Sequence, residues 1–141
     1  MRHLITILAL CIPLSLVGGV VQEQDDDSLT EWEQLQLAII ITESRCNPQA
    51  VGKTNDKGIL QITPIYVKEA NRLSGREYSH EDAFDIQKSL EMFEIIQNKY
   101  NPEHDVNKAI KLHNPGSNGY AYRQNLELVK RMELVRKEIK K

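Results

Sequence analysis

An all-α fold, carrying at most a minimal β turn, is predicted by three observations on the 141-residue chain. Apolar residues recur at helical spacing in each long segment after residue 28, helix-opening and helix-ending residues bracket those segments, and no run alternates for long enough to demand a sheet. The length leaves room for one domain with one modest core.

The first helix is expected to open at Ser28, because Ser28 and Glu31 have the spacing of a capping box, in which hydroxyl and carboxylate satisfy free amides reciprocally. It should run to about Arg45. Trp32, Leu35, Ile39 and Cys46 then share one face, and Glu43 falls inside that stripe, which aims a carboxyl group at the interior. Pro48 ends the helix, since the residue before proline avoids the helical region. A loop rich in turn formers, residues 52–58, leads through the apolar piece 59–62 to Thr63 and Pro64, a favourable helix start.

The second helix covers about residues 64–73 and stops at Gly75, and Ser79 with Asp82 caps a third that runs to about Tyr100. Its inner face is Ala83, Ile86, Leu90, Phe93 and Ile96 or Gln97. A short helix over about residues 105–112 breaks at Asn114, Pro115 and Gly116. A last one runs from about Tyr120 toward the C-terminus, with Leu126, Val129, Leu134 and Val135 available to pack.

Eighteen Lys and Arg stand against twenty Asp and Glu, so nucleic acid is not an expected partner. Locally the sign shifts: residues 23–33 are acidic and residues 130–141 are basic. The basic end reads as a solvated helix terminus, where cations suit the macrodipole, or as a contact for an anionic polymer.

Residues 1–21 read as a signal peptide, because Met1, Arg2 and His3 precede an apolar run over residues 4–21. Cleavage after Gly19 or Val21 sends the product to the periplasm or outside the cell; an uncleaved anchor is the alternative, since the run is near the lower limit for spanning a bilayer. Cys11 makes a poor lipidation site, having Leu10 where a small residue is expected. Residues 22–27 form a polar linker and residues 28–141 the domain. Beyond the signal only Cys46 remains, so no intramolecular disulfide can form and the fold stands on its core.

An inward carboxyl demands explanation, because burial disfavours its charged form and raises its pKa toward neutrality. Glu43 is therefore either a general acid or a structural carboxylate paired with a cation. The neighbouring residues bear on this choice. Residues 43–51, reading E-S-R-C-N-P-Q-A-V, resemble the E-S-x-F-N-P-x-A-V segment of lytic transglycosylases with the goose-type lysozyme-like fold. G-I-L-Q-I-T-P at 58–64 is similar to that family's G-L-M-Q-I-M-P. D-I-Q-K-S-L at 85–90 is similar to D-P-x-x-N-I, and A-I-K-L-H-N-P-G at 109–116 to A-x-A-Y-N-A-G. Tyr122 stands where a tyrosine usually opens the closing helix, and the four blocks follow in the family's order.

The resemblance implies about five helices around a glycan-binding cleft, with peptidoglycan as substrate and no cofactor. Glu43 becomes the catalytic acid and then the base, cutting between N-acetylmuramic acid and N-acetylglucosamine with closure of a 1,6-anhydro ring. No second carboxylate is required, whereas a retaining glycosidase would set one about 5 Å away. Asp56 and Asp85 are the candidates for such a role, without a motif to support either.

Substrate-side roles implied by the resemblance fall on Ser44, Gly58, Gln61, His113, Asn114 and Tyr122. Ser44 either bonds the acid or bonds back to a helix carbonyl. Gly58 allows close backbone approach or only a turn. The Gln61 amide faces the sugar or Glu43, against a plain buried amide, and Asn114 sits beside the acid or merely ends a helix.

The chain departs from the pattern at His113 for tyrosine, Pro115 for alanine, Cys46 for an aromatic and Thr63 for methionine. A titrating His113 would couple activity to pH near 6 to 7, its ordinary range. Pro115 bears on substrate fit, and Cys46 reads as a small buried hydrophobe.

Three other readings compete. A hydrolytic lysozyme could use the same scaffold, a non-catalytic module could bind or assemble peptidoglycan with Trp32, Tyr66, Tyr120 and Tyr122 as stacking surface, and Cys46 could be a nucleophile. The last is disfavoured, because a helix C-terminus opposes a thiolate. The four histidines lack metal-ligand spacing and the acids form no calcium loop, so no metal is expected. The expected state is a monomer, with a cell-envelope apparatus as the candidate protein partner.

Overall fold

The computed structural model describes residues 28–141; the calls on the signal peptide and linker, residues 1–27, lie outside them. Five α-helices follow one another: α1 (Glu31–Ser44), α2 (Pro64–Ser74), α3 (Ile86–Tyr100), α4 (Val106–His113) and α5 (Tyr120–Ile139), with a 3-10 turn (His80–Phe84) before α3. Among the described residues the only β pairing is two isolated bridges, Val51 with Lys57 and Lys57 with Ile62. The all-α expectation holds.

Helix α1 is the axis of the domain. Residues 35–40 are all buried, so the helix is enclosed on nearly every side rather than along the one stripe its spacing predicts. It packs chiefly against α5, while α2 and α4 each pack on α3. Leu35, Ile39, Ile40, Leu60, Ile62, Leu90, Phe93 and Ile110 form the centre of the core. Its polar members are satisfied: the Gln97 amide donates to the Ala109 carbonyl at 3.2 Å, and Asn101 donates to Gln97 at 3.1 Å and to the Asp105 carbonyl at 2.9 Å, tying α3 to α4.

Two boundaries and one packing face differ from expectation. The capping box is formed by Thr30 and Glu33, two residues later than Ser28 and Glu31. Leu29 is buried and its amide donates to the Glu133 carboxylate at 3.1 Å, so the chain is still entering the core where the helix was expected to begin. Ser79 and Asp82 do form a box, but it opens the 3-10 turn, and Asp85 then caps α3 by accepting from the Lys88 amide at 2.9 Å. Finally, Leu134 and Val135 are exposed, because α5 runs past the elements that could cover them; Glu133 is buried in their stead.

Candidate active site

The last turn of α1, the loop over residues 45–63 and the α4–α5 junction enclose a cleft of about 400 Å³. Glu43, Thr54, Asp56, Gln61, Tyr66, His113 and Asn114 line it.

Glu43 enters from the final turn of α1, its side chain 15% exposed. Burial raises its pKa above the ordinary carboxylate value, the Tyr122 hydroxyl opposes that, the negative charge of Asp56 adds to it, and the Asn114 amide opposes it. Tyr122, in the first turn of α5, is buried and donates its hydroxyl to Glu43 Oε1. The Asn114 amide donates to the same hydroxyl at 3.1 Å, so Asn114, Tyr122 and Glu43 form a chain of bonds. Burial and the adjacent Glu43 push the Tyr122 phenol up, which keeps it a donor. Because its ring is enclosed, Tyr122 supplies no stacking surface.

His113 closes the same corner. Its Nε2 lies 3.0 Å from the Leu60 carbonyl and 3.7 Å from Glu43 Oε1, and the side chain is only 3% exposed. Bonding a carbonyl makes Nε2 the protonated nitrogen, and burial, partly opposed by that carbonyl, lowers the pKa to about 4. The ring is therefore neutral around neutral pH, and the expected titration near pH 6 to 7 is corrected: the solvation that would support a charged imidazole is missing.

The opposite wall is a loop held by its own backbone. Lys57 and Ile62 exchange amide bonds at 3.0 and 2.8 Å, and the Gly58 amide donates to Ala50 at 2.9 Å. Gly58 has φ +76°, and a Cβ there would stand 1.7 Å from the Ala83 carbonyl oxygen. The close approach that glycine permits is thus toward the 3-10 turn and not toward the cleft. Gln61, also at positive φ, donates its amide to the Ala50 and Gly58 carbonyls at 3.2 and 2.9 Å. Its Oε1 lies over Gly52, where a Cβ would approach within 2.7 Å. Ser44 makes no bond to Glu43; its hydroxyl donates to the Ile59 carbonyl at 2.8 Å and the Ile40 carbonyl at 3.3 Å, fastening the end of α1 to the loop.

Asp56 lines the cleft with its Oδ2 accepting from the Thr54 hydroxyl at 2.7 Å, whereas Asp85 is spent as the α3 cap. Tyr66 sets its ring edge-on to His113 at 5.6 Å between centroids, with its hydroxyl buried. Trp32 stacks on His104 at 4.1 Å and donates to Glu94 at 2.8 Å, away from the cleft. The rim formed by Glu69 and Tyr100, which Arg72 binds through both side chains, carried no sequence signal, because it depends on α2 and α3 lying side by side. Among the described residues no group of three His, Cys, Asp or Glu is placed to hold a metal ion.

A largely buried carboxyl whose pKa is raised by burial, with a phenolic donor fixed on it, is placed to exchange a proton with an oxygen bound in the cleft. No curated protein and no solved structure matches this chain. Residues 22–120, well over half of its length, match the transglycosylase SLT domain, so the chain belongs to the SLT transglycosylase family, whose substrate is peptidoglycan.

Proposed function

We propose that the chain is an exported lytic transglycosylase that cuts the β-1,4 bond between N-acetylmuramic acid and N-acetylglucosamine, with Glu43 as acid and then base. The Glu43 proton passes to the glycosidic oxygen as its bond to the muramoyl C1 breaks. The muramoyl C6 oxygen then bonds to C1 and its proton returns to Glu43, leaving a 1,6-anhydro end with no water consumed. The observation that carries this reading is the Glu43 carboxyl, raised in pKa by burial within a cleft and hydrogen-bonded by Tyr122. Neutral His113 and Asn114 serve as dipoles around it, and Gln61 shapes the facing wall. Export rests on the character of residues 1–21.

Hydrolysis is the second reading, favoured by one observation: Asp56 supplies another carboxylate to the same cleft, where it could orient a water. Mass spectrometry of fragments released from purified peptidoglycan separates the two. Anhydro ends, lost by about 10²–10⁴-fold in Glu43→Gln, are the expected result. Hydrated reducing ends would replace transglycosylation by hydrolysis, and binding without release would leave a recognition module.

A further inference from the structure

The cleft is unevenly charged once each ionisable side chain along it is followed to its partner. Burial pushes Glu43 toward its protonated form, and His113 is neutral. Glu69, at the rim, accepts from Arg72 through two bonds of 2.8 Å and from the Tyr100 hydroxyl, so its charge is matched. Asp56 is left. Its carboxylate accepts from the Thr54 hydroxyl alone, and no Lys, Arg or His among the described residues pairs with it. Lys57, the next residue, is turned to Glu81 and lies over the Phe84 ring.

A second acceptor stands beside that carboxylate. The Gln61 amide nitrogen gives its two hydrogens to the Ala50 and Gly58 carbonyls, at 3.2 and 2.9 Å. Carbonyls only accept, so this orientation of the amide is fixed and Oε1 is left as an acceptor. Gly52 is what lets the two oxygens approach each other: a Cβ there would meet Gln61 Oε1 at 2.7 Å and Asp56 Oδ2 at 3.2 Å. Asp56 and Gln61 both line the cleft, so the pair belongs to its loop wall. A carboxylate without a counter-charge, next to an amide oxygen, recognises a cationic donor. A primary ammonium, with one charge and three N–H groups, can serve both oxygens at once; an acetamido group is neutral and has a single N–H.

We propose that Asp56 and Gln61 form a subsite for a primary ammonium group of the wall polymer, borne either by a glucosamine that lacks its acetyl group or by the side-chain amine of a stem peptide. The subsite rests on the reading of this cleft as one that holds peptidoglycan. It makes the loop wall a selector among chemically different wall strands, separate from the proton chemistry of the helix ends.

Residues 28–141 enclose the hydrophobic core, so a chain begun at Gln22 serves for binding, with Glu43→Gln present throughout to stop cutting. Calorimetry at low salt and mildly acidic pH, where both kinds of amine are charged, compares two pairs of probes. One pair is the β-1,4-linked tetramer of glucosamine and that of N-acetylglucosamine. The other is an N-terminally blocked peptide ending in lysine and the same peptide with the lysine amine acetylated. The free amine of at least one pair should bind about ten-fold more tightly than its acetylated partner, as a charge-assisted hydrogen bond implies. Asp56→Asn should bring that ratio close to one, and Asp56→Glu should restore part of it. A ratio found with the tetramers assigns the ammonium to the glycan, and one found with the peptides assigns it to the stem. Acetylated forms bound as tightly as the amines, a ratio unchanged in Asp56→Asn, or no binding of either amine overturns the subsite. Fragment release from peptidoglycan by the chain that retains Glu43 is read separately, so a cleft that does not cut and a subsite that does not select amines are distinct results.

Discussion

The two walls of the cleft are built differently. One is made of helix ends: Glu43 closes α1, His113 and Asn114 close α4, and Tyr122 opens α5, and these side chains bond to one another or to backbone. The other is a loop whose shape comes from backbone bonds and from residues at positive φ, Asn55, Gly58 and Gln61. The difference teaches where each kind of substitution should act. Changes on the helical wall should alter proton chemistry with the fold retained, and changes on the loop wall should alter the shape of the cleft or the fold itself.

The harshest test of the loop wall is Gly58→Ala. The added Cβ overlaps the Ala83 carbonyl oxygen, a backbone atom that cannot swing aside, at a φ that non-glycine residues seldom adopt. Left-handed strain and overpacking together predict a loss of about 2–5 kcal/mol. Chemical denaturation should show it, and a variant as stable as the parent would mean that the loop and the 3-10 turn move apart freely. The corresponding test of the helical wall is Tyr122→Phe, which removes the hydroxyl on Glu43 with little change of volume. A hydrogen bond to a charged group contributes about 1.5–3 kcal/mol, so turnover should fall about ten- to a hundredfold. Since that bond opposes the rise in the Glu43 pKa, its removal should also carry the alkaline limb of the pH–rate profile upward. A limb that moves down would show that Tyr122 does not favour the ionised carboxylate.

Gln61→Ala should have a smaller effect. The side-chain amide bridges the Ala50 and Gly58 carbonyls, so its loss relaxes the loop by about 1 kcal/mol. A rise in KM of a few-fold with kcat nearly kept is expected, because the amide does not bond Glu43. A collapse of kcat would instead move Gln61 into the proton chemistry.

The same contrast explains what could be read from the sequence. Helix ends carry local chemistry: Thr63 and Pro64 open α2, Gly75 closes it, and the inward face of α1 brings Glu43 to the cleft, all visible in short stretches. Where two local signals overlap, tertiary contacts decide. Ser28 with Glu31 and Thr30 with Glu33 are equally good boxes on paper, and the burial of Leu29 against Glu133 selects the second. The 3-10 break before α3 is hidden because Ser79 with Asp82 makes a good box one turn earlier, although Asp85 itself heads the block that resembles the family's helix start and is the cap α3 uses. Ser44 and Gly58 look like site residues since they sit in the blocks that resemble the family, yet their contacts are with Ile59 and Ala83, which no local pattern reports.

His113 is where this limit has a measurable consequence. Its state depends on Leu60, 53 residues away in sequence, and on the enclosing core, so an isolated reading gives it the ordinary imidazole pKa. Burial instead lowers that value to about 4. A folded-state pKa below the unfolded one of about 6.5 means that the unfolded chain takes up the proton first. The stability that neutral His113 contributes is complete above about pH 6.5 and is lost as pH falls through about 4. Glu43 has the opposite sign: its raised pKa favours the folded state at low pH and disfavours it as pH rises through the raised value. His113→Gln, which keeps a donor for Leu60 but cannot titrate, should flatten the acid side of a stability–pH curve between about pH 6.5 and 4 while leaving its neutral and alkaline sides unchanged. In the pH–rate profile of the parent no inflection near pH 6.5 should vanish with this substitution. If one does, the imidazole is charged in the working enzyme, and the helical wall presents a cation to Glu43 where neutral dipoles are assigned.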